Sequence, residues 1–393
     1  MSANADPVSR AVDASMRAVV VEELGAADVL AMHDDWPVPE PGAGEVAIEV
    51  QAAGVNFAEI MSRRVGYLGV TPPFVPGLEV AGTVGAIGSG VEDISVGDRV
   101  CALTLTGGYA DVALAEAQTT FPLPVELDWA VGSALPTIVP TAYALLHPLG
   151  RIRAGDRVLV NAAAGGTGMI LGQMAKHAEA SRVTGIVSSP AKLATARQYG
   201  FDDVLIAADA ESGAIADASF DLVLESVGGP ARELARRATA PLGRLLLYGN
   251  SGGAREVELT AASLRNDSVL IGGWSITTLA RTYPALLRTI SADAFALVAS
   301  GAVALDVRHV FALEDAAEAH RLVRPASRPA RSFSMSLVGA GLVQPSDLRG
   351  ERYGQTSSAI RAWSSAAGAK GTSFCSGSSA TWRTTWRNSS SPR

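Results

Sequence analysis

The sequence predicts an α/β protein: a doubly wound parallel sheet joined to a separate, mostly β domain. Three observations carry that prediction. Residues 156–274 alternate short β-branched runs with helical patterns, which implies a parallel sheet covered by helices on both faces. In RVLVNAAAGGTGMILGQMAK, residues 157–176, a buried strand runs through a glycine turn straight into a helix. Residues 16–127 show only short strands separated by Gly and Pro.

Taken in order, residues 1–15 hold Asp6, Arg10 and Asp13 among small residues and lack the apolar core of a secretory signal. They read as a disordered extension, with Met16 as a candidate start. Strands are expected at 17–22, 45–54, 79–87, 98–103 and 109–114, bounded by turns such as PEPGAGE and GVEDISVGD. Residues 129–149 read as helical with interruptions at Pro136 and Pro140. Beyond the glycine turn, RVTGIVS is a strand, and PAKLATARQYG is a helix with Pro190 in its first turn and Gly200 as its stop. DDVLI, FDLVLES, RLLLYG and SVLIGGW are further strands, 283–300 is a helix, and VRHVF and EDAAEAHRLV close the ordered pattern as strand and helix.

Charge and composition exclude several partners. A net charge of −7 offers no basic footprint for nucleic acid or an anionic membrane surface. No run of about 18 apolar residues suggests a transmembrane helix. Cys101 and Cys375 have no spacing that makes a disulfide framework or a zinc site, and a cytoplasmic location is expected.

The glycine turn suits a pyrophosphate, because unpaired N–H groups and the positive end of a helix dipole meet there. Gly165, Gly166, Thr167 and Gly168 supply the last two glycines of the dinucleotide fingerprint, with Ala163 at the place of the first. The alternative is a glycine-rich connector with no ligand. An NAD-specific site carries Asp or Glu about 20 residues beyond such a turn. Here that place holds Ser188 and Ser189, with Lys192 one turn on. Two hydroxyls and an ammonium fit a 2′-phosphate, so NADPH is the expected cofactor. Alternatively, Ser188 caps a helix and Lys192 is a solvated surface residue.

The ordered strings MRAVVVEELG, VPEPGAGEV, AAGVNFAEIMSR, PPFVPGLEVAGTV, GGYADV, LPTIVPTAYALL, NAAAGGTG, SSPAKLATA, ESVGG and GRLLLYG give residues 16–323 a family likeness. This stretch resembles the zinc-independent medium-chain dehydrogenases and reductases, in their quinone oxidoreductase (zeta-crystallin-like) branch. The resemblance implies a chaperonin-10-like β domain at 16–135 on the substrate side, a Rossmann domain at 136–280 and a return to the substrate domain at 281–323. It also implies a homodimer paired along the sixth Rossmann strand.

Zinc-dependent relatives carry a Cys near Asn56 and a His beside Glu79, where this chain has Leu78. No metal is expected, and His33, His147, His177, His309 and His320 read as packing or surface residues. The resemblance places Thr141 beside the nicotinamide, Ser226 and Val227 after the fourth strand, and Tyr248, Gly249 and Asn250 at the carboxyl end of the fifth. Asn56 faces the cleft in the family. Several relatives have a Tyr five residues later, where this chain has Met61; Tyr67 is the nearer phenol, or else an aromatic packed in a loop. The catalytic candidates are therefore Asn56, Tyr67 and Thr141. Loop residues around 61–73 and Trp274 are expected to line the acceptor pocket.

With no metal, nucleophile or acid–base pair, the cofactor carries the chemistry. The expected reaction is hydride transfer from NADPH to a quinone or an α,β-unsaturated carbonyl. The alternatives are enoyl-thioester reduction and NADPH binding with little turnover.

Residues 324–393 are rich in Ser, Arg, Gly and Thr, and Trp363, Trp382 and Trp386 follow no period. Relatives continue here into a final strand of the form Gly-Lys-Val-Val-Leu. Codons for residues 331–336 read one base earlier permit Lys-Leu-Leu-Asp-Val, so the tail is expected to be frameshifted and disordered, leaving the β domain one strand short; the alternative is a genuine lineage-specific tail.

Overall fold

The computed structural model describes residues 15–253, 258 and 260–323, and the backbone of 334–338. Strand β1 (Ser15–Val21) pairs antiparallel with β2 (Leu30–Pro37) in a two-stranded ribbon. Next comes β3 (Glu45–Gly54), and its alternating apolar residues make it the centre of the β domain. Helix α1 (Phe57–Val65) leads from it through a short turn to β4 (Glu79–Ile87). Then come β5 (Arg99–Leu103), β6 (Val112–Glu116) and β7 (Thr120–Pro122). β3 pairs antiparallel with β4 on one side and β6 on the other, and β4, β5 and β7 continue the sheet. Two register shifts between β3 and β4 bend the sheet around its core.

Helices α2 (Trp129–Ser133) and α3 (Leu135–Leu146) carry the chain to the second sheet. The expected interruption at Pro140 does not occur. Its missing N–H would have bonded the carbonyl of Pro136, in the first turn of α3, so only a bond near the helix end is lost.

Six strands follow: β8 (Arg157–Asn161), β9 (Arg182–Val187), β10 (Asp203–Ile206), β11 (Phe220–Glu225), β12 (Thr239–Leu247) and β13 (Leu270–Gly273). They lie parallel in the order β10-β9-β8-β11-β12-β13, the doubly wound pattern in which strand order reverses beside β8. Burial on both faces accounts for the apolar runs. Val158 and Val160 of β8 pack with α3 and with helix α4 (Gly166–His177), while Leu159 packs on the opposite face with Leu234 of the helix Pro230–Ala238. The helix Pro284–Ala299 returns along α3, burying Phe295 and Val298 in the same core.

Strand β14 (Val307–Ala312) and the helix Ala316–Leu322 rejoin the β domain. There the expectation of a missing strand is corrected. Residues Ser334–Val338 form β15, parallel to β14 and antiparallel to Ala52, Ala53 and Gly54 of β3. Pairing of main-chain N–H and C=O groups tolerates many sequences, so a short extended segment satisfies the edge that β3 presents. The rest of the expected disordered tail, and residues 1–14 of the expected extension, lie outside the described residues, while Ser15, the last residue of that extension, begins β1.

Candidate functional site

The turn after β8 has the geometry the fingerprint requires. Gly165 N–H donates to Ala162 O at 2.8 Å and Gly165 caps α4, leaving the N–H groups of Gly166, Thr167 and Gly168 without partners inside the helix. A Cβ on Gly168 would lie 2.3 Å from Ala162 O and 2.9 Å from Ala163 Cα, so only glycine lets the helix start this close to the turn. Ala163, in place of the first fingerprint glycine, is fully buried, and its Cβ fits because Gly185 of β9 faces it. Asn161, the last residue of β8, is buried with neither amide atom bonded. An orphaned amide beside a cradle of free N–H groups fits a polar ligand at this turn.

At the end of β9, Ser188 and Ser189 precede a short turn, Pro190–Lys192. The Lys192 ammonium donates to Ser188 Oγ at 3.0 Å. Among the described residues no carboxylate pairs with it, and burial alone pulls its pKa down. An unpaired, partly desolvated cation is costly unless an anion arrives.

The third element is the turn after β11. Buried Glu225 accepts from Val227 N–H at 2.5 Å and Gly228 N–H at 2.8 Å, and pairs with buried Arg232 at 2.9 Å. Arg232 also donates to Gly249 O at 2.8 Å. Val227, Gly228 and Gly249 are thereby tied to one buried ion pair, and Tyr248 N–H donates to the Glu225 main-chain oxygen at 3.0 Å. Ser251 N–H donates to Ser226 O at 2.8 Å, which brings the segment around Asn250 against them.

On the β-domain side, Asn56 caps α1 in a capping box with Glu59. Its Nδ2 donates to Glu79 Oε1 at 2.8 Å and approaches Glu59 Oε1 at 3.4 Å. Leu78 N–H donates to Glu59 at 3.1 Å and Thr137 N–H, from α3, to Glu79 at 2.8 Å. Gly54 leaves the room this needs, since a Cβ there would lie 2.3 Å from Glu79 Oε1. Desolvation is the largest cause that pushes Glu59 up to about 8 and Glu79 up to about 7. Both carboxyls thus keep protons in the folded state at a pH where the unfolded chain, near 4.5, has released them. Their stabilising share is full below about 4.5 and is lost as pH rises towards 8. We expect the melting temperature to fall between about pH 5 and 8, and Glu59→Gln to flatten that slope. Equal slopes for the two proteins would show that the pair does not titrate with folding.

Thr141 lies one turn beyond Thr137 on α3, is 7 % exposed, and accepts from Trp274 Nε1 at 3.1 Å. Tyr67 stands apart. It is half-exposed in the turn after α1, and among the described residues no hydrogen bond joins its hydroxyl to Asn56 or Thr141. Asn56 and Thr141 converge through Glu79 and α3, while Tyr67 does not join them. Glu59, Thr137, Glu225 and Arg232 were not named from sequence. Of these only Glu59 carried a local signal, the Asn-x-x-Glu capping pattern.

Two family models match the chain: the alcohol dehydrogenase GroES-like domain over residues 42–125 and the zinc-binding dehydrogenase domain over 166–292. Quinone oxidoreductase of Lama guanicoe is 34% identical over 245 residues, covering 60% of this chain and 74% of that protein. The chain belongs to the quinone oxidoreductase family of medium-chain dehydrogenases and reductases. The rat quinone oxidoreductase is 42% identical over 176 residues, a match spanning 44% of this chain and only 53% of the rat protein. A mycobacterial member solved in complex with NADPH superposes with a TM-score of 0.75 at 32% identity, covering 82% of this chain and 100% of that one. The β domain is therefore GroES-like and the parallel sheet is the dinucleotide-binding half of this family.

The second family model is named for zinc, and it matches residues 166–292, away from the positions where the resemblance places the ligands of zinc-dependent relatives. Asn56 and Leu78 replace thiolate and imidazole, Cys101 is buried with its thiol pushed up by desolvation, and among the described residues no three metal-binding side chains gather. No helix among the described residues is long and apolar enough to cross a membrane.

Proposed function

We propose that this quinone oxidoreductase family member is an NADPH-dependent, zinc-independent reductase that passes hydride to a quinone or an α,β-unsaturated carbonyl. The observation that carries the cofactor reading is Lys192, a partly buried ammonium with no carboxylate partner among the described residues, held by Ser188 where an acid would select NADH. The free N–H groups of Gly166, Thr167 and Gly168 bind the pyrophosphate, with Ala163 and Gly165 shaping the turn. Ser188, Ser189 and Lys192 bind the 2′-phosphate. Ser226, Val227, Tyr248, Gly249 and Asn250 border the cofactor at the carboxyl edge of the sheet, where open α/β sheets take ligands. NADPH bound there supplies hydride.

The protein positions the acceptor and excludes water. Asn56, with its Nδ2 committed to Glu79 and its side chain held in the capping box with Glu59, stands fixed on the β-domain side of the site to order ribose or acceptor. Thr141 offers a hydroxyl at the same cleft, and Tyr67 is the more remote phenol. Conjugated acceptors spread the developing negative charge, so a Lewis acid is not required.

A steady-state panel of quinones and enones with NADPH tests the reading. Turnover with at least one acceptor, unchanged by a chelator and with substoichiometric zinc in the protein, supports it. Stoichiometric NADPH binding with no oxidation by any acceptor overturns the enzyme reading in favour of a binding protein. Activity lost together with one zinc per chain overturns the metal-free part.

Association follows from the sheet edge. β13 ends the parallel sheet, Leu270 on it is 64% exposed and nearby Leu242 is 79% exposed. A bare apolar edge invites pairing with a second copy. Light scattering should give twice the 40.4 kDa chain mass. A monomeric mass in dilute buffer would contradict the dimer.

A further inference from the structure

Trp274 is the first residue beyond β13, and its position links three parts of the molecule. Its backbone N–H donates to Leu247 O at 2.9 Å, anchoring it to the carboxyl edge of the parallel sheet. The indole packs among Leu103 and Leu105 from the β domain and Ile276, Ala280 and Leu287 from the helices after β13. Its Nε1–H reaches Thr141 Oγ1 on α3 at 3.1 Å. An indole N–H is a donor only, so in this pair the threonine oxygen must accept.

That fixes what remains of the hydroxyl. Thr141 has one O–H to donate, and among the described residues that proton has no protein acceptor. The side chain is 7% exposed and β-branched, so its χ1 is restricted as well. An oriented, uncommitted donor in a largely dry site has the form of a group that stabilises charge developing on a nearby oxygen.

We propose that Trp274 is a positioning residue for reduction, holding the Thr141 hydroxyl so that its proton points to the acceptor oxygen on which negative charge builds as hydride arrives. This rests on the reductase reading above. Carbon of the acceptor gains the hydride, its conjugated oxygen gains the charge, and the Thr141 O–H stabilises that oxygen by a hydrogen bond without giving up its proton; solvent then protonates the product. In this role Trp274 acts through the Thr141 hydroxyl, whether or not its ring also lines the acceptor pocket.

The test is a double-mutant cycle on the full chain with NADPH and 1,4-naphthoquinone. Trp274→Phe keeps an aromatic ring and removes the donor, and should lower kcat about tenfold, in line with removal of a single oriented hydrogen bond. NADPH affinity should stay within twofold. Thr141→Val should lower kcat similarly, and the double variant should be no slower than Thr141→Val alone. In a Thr141→Ser background, Trp274→Phe should still cost about tenfold, because the hydroxyl is again there to be oriented. Independent, multiplying effects in the valine background, or a wild-type kcat for Trp274→Phe, would overturn the proposal. Should Trp274→Phe fail to fold, the indole N–H resonances of wild type and Thr141→Val decide. One indole resonance should shift when the hydroxyl is removed, and none moving would refute the pairing. A wild-type protein that reduces no acceptor would instead refute the reductase reading, while the resonance shift would still report on the pairing.

Discussion

Replacing Arg232 by Met is expected to destabilise the protein by about 3–5 kcal/mol, since it leaves a buried carboxylate without its cation. In a chain with domains of this size that corresponds to a fall of roughly 10 °C in melting temperature. The side chains of Glu225 and Arg232 are 0% and 6% exposed, so water cannot replace the lost partner. The same change releases the Gly249 carbonyl from its bond with Arg232 and loosens the Val227–Gly228 turn that Glu225 holds. NADPH affinity should therefore drop along with stability. Glu225→Gln, which keeps volume and removes the charge, should cost less than Arg232→Met. A melting temperature for Arg232→Met within 2 °C of wild type, by calorimetry, would show that the pair is not holding this turn.

Lys192→Ala is expected to weaken NADPH roughly ten- to a hundredfold while leaving NADH within about twofold. The size follows from a charge-assisted hydrogen bond worth about 1.5–3 kcal/mol. The direction follows from the site, where Lys192 meets Ser188 and, among the described residues, no carboxylate. Removing it costs an interaction made only with the 2′-phosphate. Fluorescence titration of both cofactors gives the two ratios. Equal weakening of both would make Lys192 structural and leave the phosphate without its ligand.

Residues that act within one local segment were legible in the sequence. The glycine turn after β8 was visible because strand, turn and helix are continuous, and a helix N-terminus attracts anions wherever it occurs. Ser188 and Lys192 were visible for the same reason, being four residues apart at the end of one strand. Strands β3 and β4 were found with their observed ends, because one-sided or two-sided burial writes itself into the residue pattern. Elements that break the pattern were not found. β2 carries His33, Asp34 and Asp35 on a two-stranded ribbon, and α1 buries Glu59 and Arg63, so neither reads as apolar at the expected spacing. β15 was expected to be lost with its usual residues, yet main-chain pairing needs few particular side chains.

The sequence by itself determined the two kinds of layer and the family likeness, and it carried the strand–turn–helix pattern on which the proposed phosphate site rests. These depend on period, turn chemistry and the helix dipole, all of which act within a few residues. Only the tertiary structure decided how the site is held. Asn56 meets Glu79 across 23 residues, Glu79 meets Thr137 across 58, and Thr141 meets Trp274 across 133. Such contacts form between buried polar groups, and a buried donor, acceptor or charge is tolerable only opposite a partner. Which partner it finds is set by how the sheets and helices pack, and no local pattern in the chain records that choice.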